Sequence, residues 1–240
     1  RLSLVGSEMC IRDRFTGVTV SSLPSTGTFT LNNVPVTANQ FIPIASINAG
    51  QLRYTPLANE NGNAYSSFQF QVRDNGTTNN IDLTPNTMTF NVTPVNDAPG
   101  VLAAGLSLEN IDEDTTNSAG VLVSIVAASN TDVDAGAVKG IAVIGFNGTD
   151  GIWQFALDGV TWQNFGAVSP STARLLASDA TTRVRFIPNA NFTGVGRLDF
   201  RAWDRTAGTH GAVFNITATG GATAFSTAIS VVEQFVAPVN

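Results

Sequence analysis

Two stretches of the chain alternate apolar and polar residues with the period of two that a half-buried strand requires. They are Phe68-Gln69-Phe70-Gln71-Val72 and Leu198-Asp199-Phe200-Arg201-Ala202, and Thr87 to Val92 alternates in the same way. The run Trp153-Gln154-Phe155-Ala156-Leu157, followed by Asp158-Gly159 and Val160-Thr161-Trp162, reads as a hairpin closed by a two-residue type I′ turn. That register sets Phe155 opposite Trp162 on one face and makes Trp162 a core residue. Turn signals recur about every 8 to 12 residues, the spacing of short strands in a β-sandwich. No segment carries a convincing helical period, so the pattern predicts an all-β protein.

The same apolar pattern occurs twice. Leu52-Arg53-Tyr54-Thr55-Pro56, then Gly62, Phe68, Phe70 and Asp74, is echoed by Val184-Arg185-Phe186-Ile187-Pro188, then Gly194, Leu198, Phe200 and Asp204. Pro94-Val95-Asn96 returns as Pro238-Val239-Asn240. Repetition of whole blocks signals tandem units. The expected organisation is a first repeat over residues 15–95, truncated at its N-terminus, a linker over 96–99, a second repeat over 100–237, and the start of a further linker at 238–240.

Residues 1–14, RLSLVGSEMCIRDR, stand apart: they hold the single Cys, Cys10, and Met9, and they lack the Thr/Asn/Gly character of the rest of the chain. The string resembles a translated sequencing-adapter peptide, which implies a non-native segment to be kept out of fold reasoning.

Composition sharpens the all-β reading. Charged residues make up 12% of the chain, against about 25% in ordinary soluble domains. Thr and Asn fill the difference, and they favour strands and turns over helix. Lys139 is the one lysine, and the formal charge is -6. Nucleic acid needs clustered Lys and Arg, so it is excluded as a partner. No apolar run approaches the about 18 residues of a membrane span, so direct membrane insertion by this chain is not expected. One His, His210, and one Cys cannot build a zinc site or a Cys/His catalytic pair. No catalysis is expected, and His210 in its Gly-rich turn reads as merely solvated.

The acidic residues sit in turns beside Asn, Gly or one another: Asp74-Asn75-Gly76, Asn96-Asp97, Asp112-Glu113-Asp114 and Asp132-Val133-Asp134. Asp and Asn favour turns for conformational reasons alone. They also supply the carboxylate, amide and backbone oxygens from which Ca²⁺ takes its six to eight ligands.

Pro94-Val95-Asn96-Asp97-Ala98-Pro99 resembles the interdomain linker of cadherins and of bacterial cadherin-like tandem repeats, and Asp132-Val133-Asp134 resembles the cadherin Asp-x-Asp pair. Phe70-Gln71-Val72-Arg73-Asp74 and Phe200-Arg201-Ala202-Trp203-Asp204 are similar to the strand that ends in a ligand aspartate, and Asn189-Ala190-Asn191-Phe192-Thr193-Gly194 is similar to a phrase of the bacterial repeats. The resemblance covers residues 15–240. It implies two tandem Ig-like, cadherin-like Greek-key sandwiches in a large secreted or surface-attached bacterial adhesin or RTX-type protein. It also implies Ca²⁺ as the cofactor and an extracellular location. Neighbouring repeats of the same chain, and cell-surface or matrix glycans or proteins, are the partners it implies.

Loops of a seven-strand sandwich alternate between its two ends. Asp132 and Asp134 then share an end with Asp204, near Asn96 and Asp97, and Glu60 is expected at the same junction. The expected metal ligands are therefore Glu60, Asn96, Asp97, Asp132, Asp134 and Asp204. Glu113, Asn189, Asn191 and Asn240 are expected as a half-site for the next junction. Asn59-Glu60-Asn61 departs from the Asp-Arg-Glu of cadherins, which makes Glu60 the least supported ligand. Two other readings remain: a carbohydrate-binding module with Trp153, Trp162 and Trp203 as a stacking platform, and a passive spacer that binds no calcium.

Overall fold

A computed structural model describes residues 14–240 except 77, 79, 103 and 104. The proposal that residues 1–14 are foreign falls, apart from Arg14, outside the described residues. The chain divides into two compact units, residues 1–94 and 95–240.

In the first unit the alternating segments form β1 (Phe15–Ser22), β2 (Thr28–Leu31), β3 (Val34–Pro35), β4 (Phe41–Pro43), the helical turn α1 (Ile44–Asn48), β5 (Leu52–Thr55), β6 (Gly62–Asp74) and β7 (Asn86–Val92). They pair as two sheets, in the orders β4-β1-β6-β7 and β3-β2-β5. Val18, Val20, Ile42 and Phe68 from one sheet meet Phe29 from the other in a small core. Burial of such faces is what drives two amphipathic sheets together.

The second unit contains β8 (Leu106–Ser107), β9 (Ile111–Asp112), β10 (Val121–Leu122), α2 (Val123–Val126) with a 3₁₀ turn over Ala127–Ser129, β11 (Gly140–Phe146), β12 (Gly151–Ala156) and β13 (Gln163–Asn164). β14 (Thr172–Ala177), β15 (Arg183–Pro188), β16 (Gly194–Trp203), β17 (Val213–Asn215) and β18 (Ser230–Ala237) complete it. One sheet has the order β10-β15-β12-β13, the other β17-β14-β11-β16-β18-β8, with β9 also on β18. The fold is all-β, with two short helical segments that the apolar pattern did not suggest. Both are a single turn or little more, too short to show a period of 3.6.

The orders β4-β1-β6-β7 and β3-β2-β5 recur as β14-β11-β16-β18 and β13-β12-β15. The sequence echo therefore places equivalent strands: β5 matches β15, and β6 matches β16. Among the described residues, the first unit has no counterpart of β8, β9 or β10.

The hairpin register differs from expectation. β12 pairs with β13 through Phe155↔Gln163, so the loop spans 157–162 and Trp162 is not opposite Phe155. Asp158 does not adopt the positive φ of a type I′ turn, although Gly159 does. Instead the Asp158 carboxylate accepts the Val160 and Thr161 amides and the Thr161 hydroxyl. Those hydrogen bonds, that from the Thr161 side chain foremost, lower its pKa to about 2. Phe165 takes the core place, fully buried with its ring centroid 5.1 Å from that of Phe155. Trp162 is half-buried, with the Arg185 guanidinium 4.0 Å above its ring.

A second core lies on the outer side of the β14-β11-β16 sheet. Trp203, which alternation leaves on the face opposite Phe200, packs there with Leu175, Ile144, Ile216, Ala224 and Phe225. Its indole donates to the Ala207 carbonyl, 2.7 Å. The loop of 216–227 is thereby fixed against the end of β16, where Asp204 follows.

Candidate metal centre

The linker residues belong to the second unit and are pinned to it by backbone hydrogen bonds. The Ala98 amide donates to the Gly221 carbonyl at 2.7 Å, and Gly100 exchanges hydrogen bonds with Thr131 at 2.8 and 2.9 Å. Asn96 and Asp97 are thus carried to the loop that contains Asp132 and Asp134 and to the residue that follows β16.

Asp204 is 3% exposed. One of its oxygens accepts from the Thr206 amide (2.8 Å) and hydroxyl (2.6 Å); the other accepts from the Asn96 side-chain amide, 2.9 Å. That same amide of Asn96 reaches the Thr223 carbonyl at 3.3 Å. All these partners are neutral. The ion pairs among the described residues are Arg197–Asp199 and His210–Asp179, so Asp204 has no cation within salt-bridge reach. A buried carboxylate satisfied only by neutral donors lacks the charge partner that normally offsets its desolvation.

The neighbouring loop is built in the same way. Asp134 accepts the Asp97 amide at 2.9 Å, and Asp132 accepts the Asp134 amide at 2.9 Å. The second Asp132 oxygen, Oδ2, is buried and has no hydrogen-bond partner, and neither has Oδ1 of Asn130. Asn130 is 3% exposed and uses its side-chain amide on the Gly140 carbonyl, 2.9 Å. Buried acceptors without donors are uncommon and costly, so each calls for an explanation. A bound cation is one that satisfies several at once.

Five expected ligands, Asn96, Asp97, Asp132, Asp134 and Asp204, therefore meet in one hydrogen-bonded cluster. Among the described residues, however, no group of three or more His, Cys, Asp or Glu is arranged to hold a metal ion. The carboxylates are turned toward backbone amides and the Asn96 amide group rather than toward a common point. The donor set fits a hard cation in kind; the arrangement is not a closed cage. Glu60 belongs to the first unit, where the Tyr65 hydroxyl donates to its carboxylate.

The residues expected at the other half-site are tied to its chain ends. Glu113 accepts the Val239 amide at 2.9 Å, and its own amide donates to the Ala237 carbonyl at 2.8 Å. The Asn191 amide donates to Asp114 at 3.1 Å, and the Asn189 side chain donates to the Thr149 carbonyl at 2.9 Å. Asn240 is exposed.

Sequence reasoning missed Asn130, although its spacing in Asn130-Thr131-Asp132-Val133-Asp134 was readable. It also missed Thr206 and the 216–227 loop, whose carbonyls leave no side-chain signature. A three-tryptophan platform is overturned by burial: Trp153 and Trp203 are each 1% exposed. His210 is not simply solvated. Its Nδ1 accepts the Ala177 amide at 3.0 Å, and Nε2 lies 3.3 Å from the Thr182 hydroxyl.

No helix among the described residues is long and apolar enough to cross a membrane. No family model matches the chain, and no curated protein matches it. A solved structure of human mucin-like protocadherin EC1-2 is similar to this chain at a TM-score of 0.43 and 15% identity, over 92% of this chain and 84% of that one.

Proposed function

We propose that the second unit binds Ca²⁺ at its linker end and that the chain is a non-catalytic, calcium-stiffened repeat of an extracellular adhesive protein of bacterial surfaces. The single observation that carries this reading is Asp204, a buried carboxylate without a counter-ion, tied through Asn96 and the Asp97 amide to a loop holding two orphaned acceptors. Asp132, Asp134 and Asp204, with the amide oxygens of Asn96 and Asn130, would hold the ion, and Ca²⁺ supplies the positive charge that this set lacks.

The chain's own residues do the rest. Asn96 and Asp97 bring the linker into the cluster, so any gain in cluster stability also orders the linker. Linker order is what converts tandem sandwiches into a stiff repeat. Neighbouring repeats are then the immediate partners, with surface or matrix glycans or proteins as the adhesive ones. The acidic balance and single lysine suit a chain that works with a cation.

Calorimetry of the full chain tests the proposal. Extracellular calcium modules have dissociation constants of about 10⁻⁴ to 10⁻³ M. Titration to about 10 mM should show binding in that range, Asp134→Ala should remove most of it, and Asp158→Ala should leave it intact. No heat of binding with the unaltered chain would leave a passive spacer as the account.

A further inference from the structure

The second unit holds a buried positive charge that mirrors Asp204. Arg183 and Arg185 alternate on β15 with the buried Val184 and Phe186, so both leave the strand by its outer face. Arg185 is nevertheless only 9% exposed, and desolvation lowers its pKa. Its Nε donates to the Gln154 side chain at 2.9 Å, and its Nη1 donates to the Asn117 side chain at 3.0 Å and the Ser118 carbonyl at 3.1 Å. Arg183 reaches the carbonyls of Ala119 and Gly120, at 3.4 and 3.3 Å. All these acceptors are neutral, and among the described residues neither arginine has a carboxylate within salt-bridge reach. A buried charge held by neutral groups alone lacks the partner that normally offsets its desolvation.

Trp162 closes over this pair. One face of its ring is taken by the Arg185 guanidinium, 4.0 Å from the centroid. Gly120 lets the indole settle against the turn of 117–120, because a Cβ there would come within 2.8 Å of the ring. With Arg183, Asn117, Ser118 and the exposed Val160, the rest of the ring lines a shallow, open hollow of about 410 Å³. The carboxylates of the flanking loops are turned back onto their own turns, Asp158 to Val160 and Thr161, Asp179 to Thr181 and Thr182. In a chain of formal charge -6, an aromatic surface and uncompensated positive charge therefore meet in one place.

We propose that this hollow binds an acidic sugar, a uronate-type unit of a polysaccharide, whose apolar C–H face covers the Trp162 indole while its carboxylate accepts from Arg183. The guanidinium fork matches a carboxylate in charge and in geometry. The cation already stacked on one face of the ring weakens the attraction of the other face for a second cation, which favours an anionic occupant. A sugar fits the hollow better than an acidic peptide does. The lining comes from two turns and from β15, which is paired on both sides, so no open strand edge is offered to a peptide main chain. The site rests on the adhesive part of the function proposed above and uses none of the calcium ligands.

The test is titration of the full chain with a galacturonate trimer, read by the indole N–H signals of the three tryptophans in NMR. Chelator is present throughout, because uronates bind Ca²⁺ themselves. Failure of calcium binding in calorimetry then leaves this result standing, and failure here leaves the calcium reading standing. The Trp162 signal should move and saturate below about 10 mM sugar, while Trp153 and Trp203, each 1% exposed, should not respond. Methyl esterification of the trimer should weaken binding about tenfold or more, the scale of one hydrogen bond to a charged group. Arg183→Gln, at a half-buried position, should do the same, with unchanged Trp153 and Trp203 signals reporting an intact fold. Trp162→Ala should abolish binding measured by calorimetry. Four results overturn the proposal: no shift at Trp162, equal binding of the esterified trimer, undiminished binding by both variants, or tighter binding of a glutamate trimer, which would make the hollow a peptide site.

Discussion

Tyr54 and Phe186 stand in the same run of residue types, yet among the described residues only the second unit carries β8, β9 and β10 beside the equivalent strands. Tyr54 and Phe186 sit at equivalent places on β5 and β15. Phe186 is fully buried, 5.4 Å between ring centroids from Trp153. Tyr54 is half-buried, stacked at 3.9 Å on Phe90 with its hydroxyl donating to the Thr26 carbonyl. The strand period decides which face a residue occupies. Neighbouring segments decide whether that face is shielded, and here they are β8, β9, β10, α2 and the 216–227 loop.

The contrast is broken most readily by truncating equivalent rings. Phe186→Ala should destabilise the second unit by about 3 to 5 kcal/mol, the range for a buried aromatic. Tyr54→Ala should cost the first unit less than half as much, since part of its surface stays in water in the folded state. Denaturant unfolding followed by unit-resolved exchange measures both, and equal losses would mean that Tyr54 is as well shielded as Phe186.

Tryptophans sharpen the same contrast within one unit. Trp203→Ala should cost about 3 to 5 kcal/mol. Trp162→Ala should cost less, about 1 to 2 kcal/mol, the worth of a partly buried cation–π contact with Arg185. Thermal melts of the two variants suffice.

A smaller effect concerns pH. Burial holds the His210 pKa below its ordinary 6.5, with Asp179 opposing and Arg205 assisting. The unfolded chain then takes up a proton before the folded one does. Stability from His210 is full above pH 6.5 and is lost as pH falls through the lowered folded value. His210→Gln should flatten the decline in melting temperature between neutral and mildly acidic pH; an unchanged slope would show that other groups set it.

The alternation of β6, β7 and β16 and the doubled block around β5 and β15 were legible in the sequence, because face and period depend on local residue order. The hydrogen-bonded clustering of Asn96, Asp97, Asp132, Asp134 and Asp204 was legible as to loop ends, whereas Glu60, expected with them, pairs with Tyr65 in the first unit. The Trp162 assignment failed because Asp-Gly invited a two-residue turn. The Asp158 carboxylate instead caps a longer loop, and Phe165 replaces Trp162 inside. Trp203 was legible as to face but not as to burial: only the 216–227 loop, with no period of its own, makes its outward face a core. The helical turns α1 and α2 and the orphaned Asn130 oxygen depend on tertiary surroundings that no local pattern encodes.

Calcium titration of the full chain followed by amide NMR reads the Asn96–Asp97–Asp134 cluster itself. The Asn96 side-chain amide and the backbone amides of Asp97 and Asp134 donate to the carboxylates that would turn to the ion. Those three signals should therefore move most, with saturation at about 10⁻³ M or above, while the Val160 and Thr161 amides on Asp158 stay in place. Shifts that are absent up to about 10 mM, or that fall on the Asp158 loop as strongly as on Asp97 and Asp134, would contradict the account.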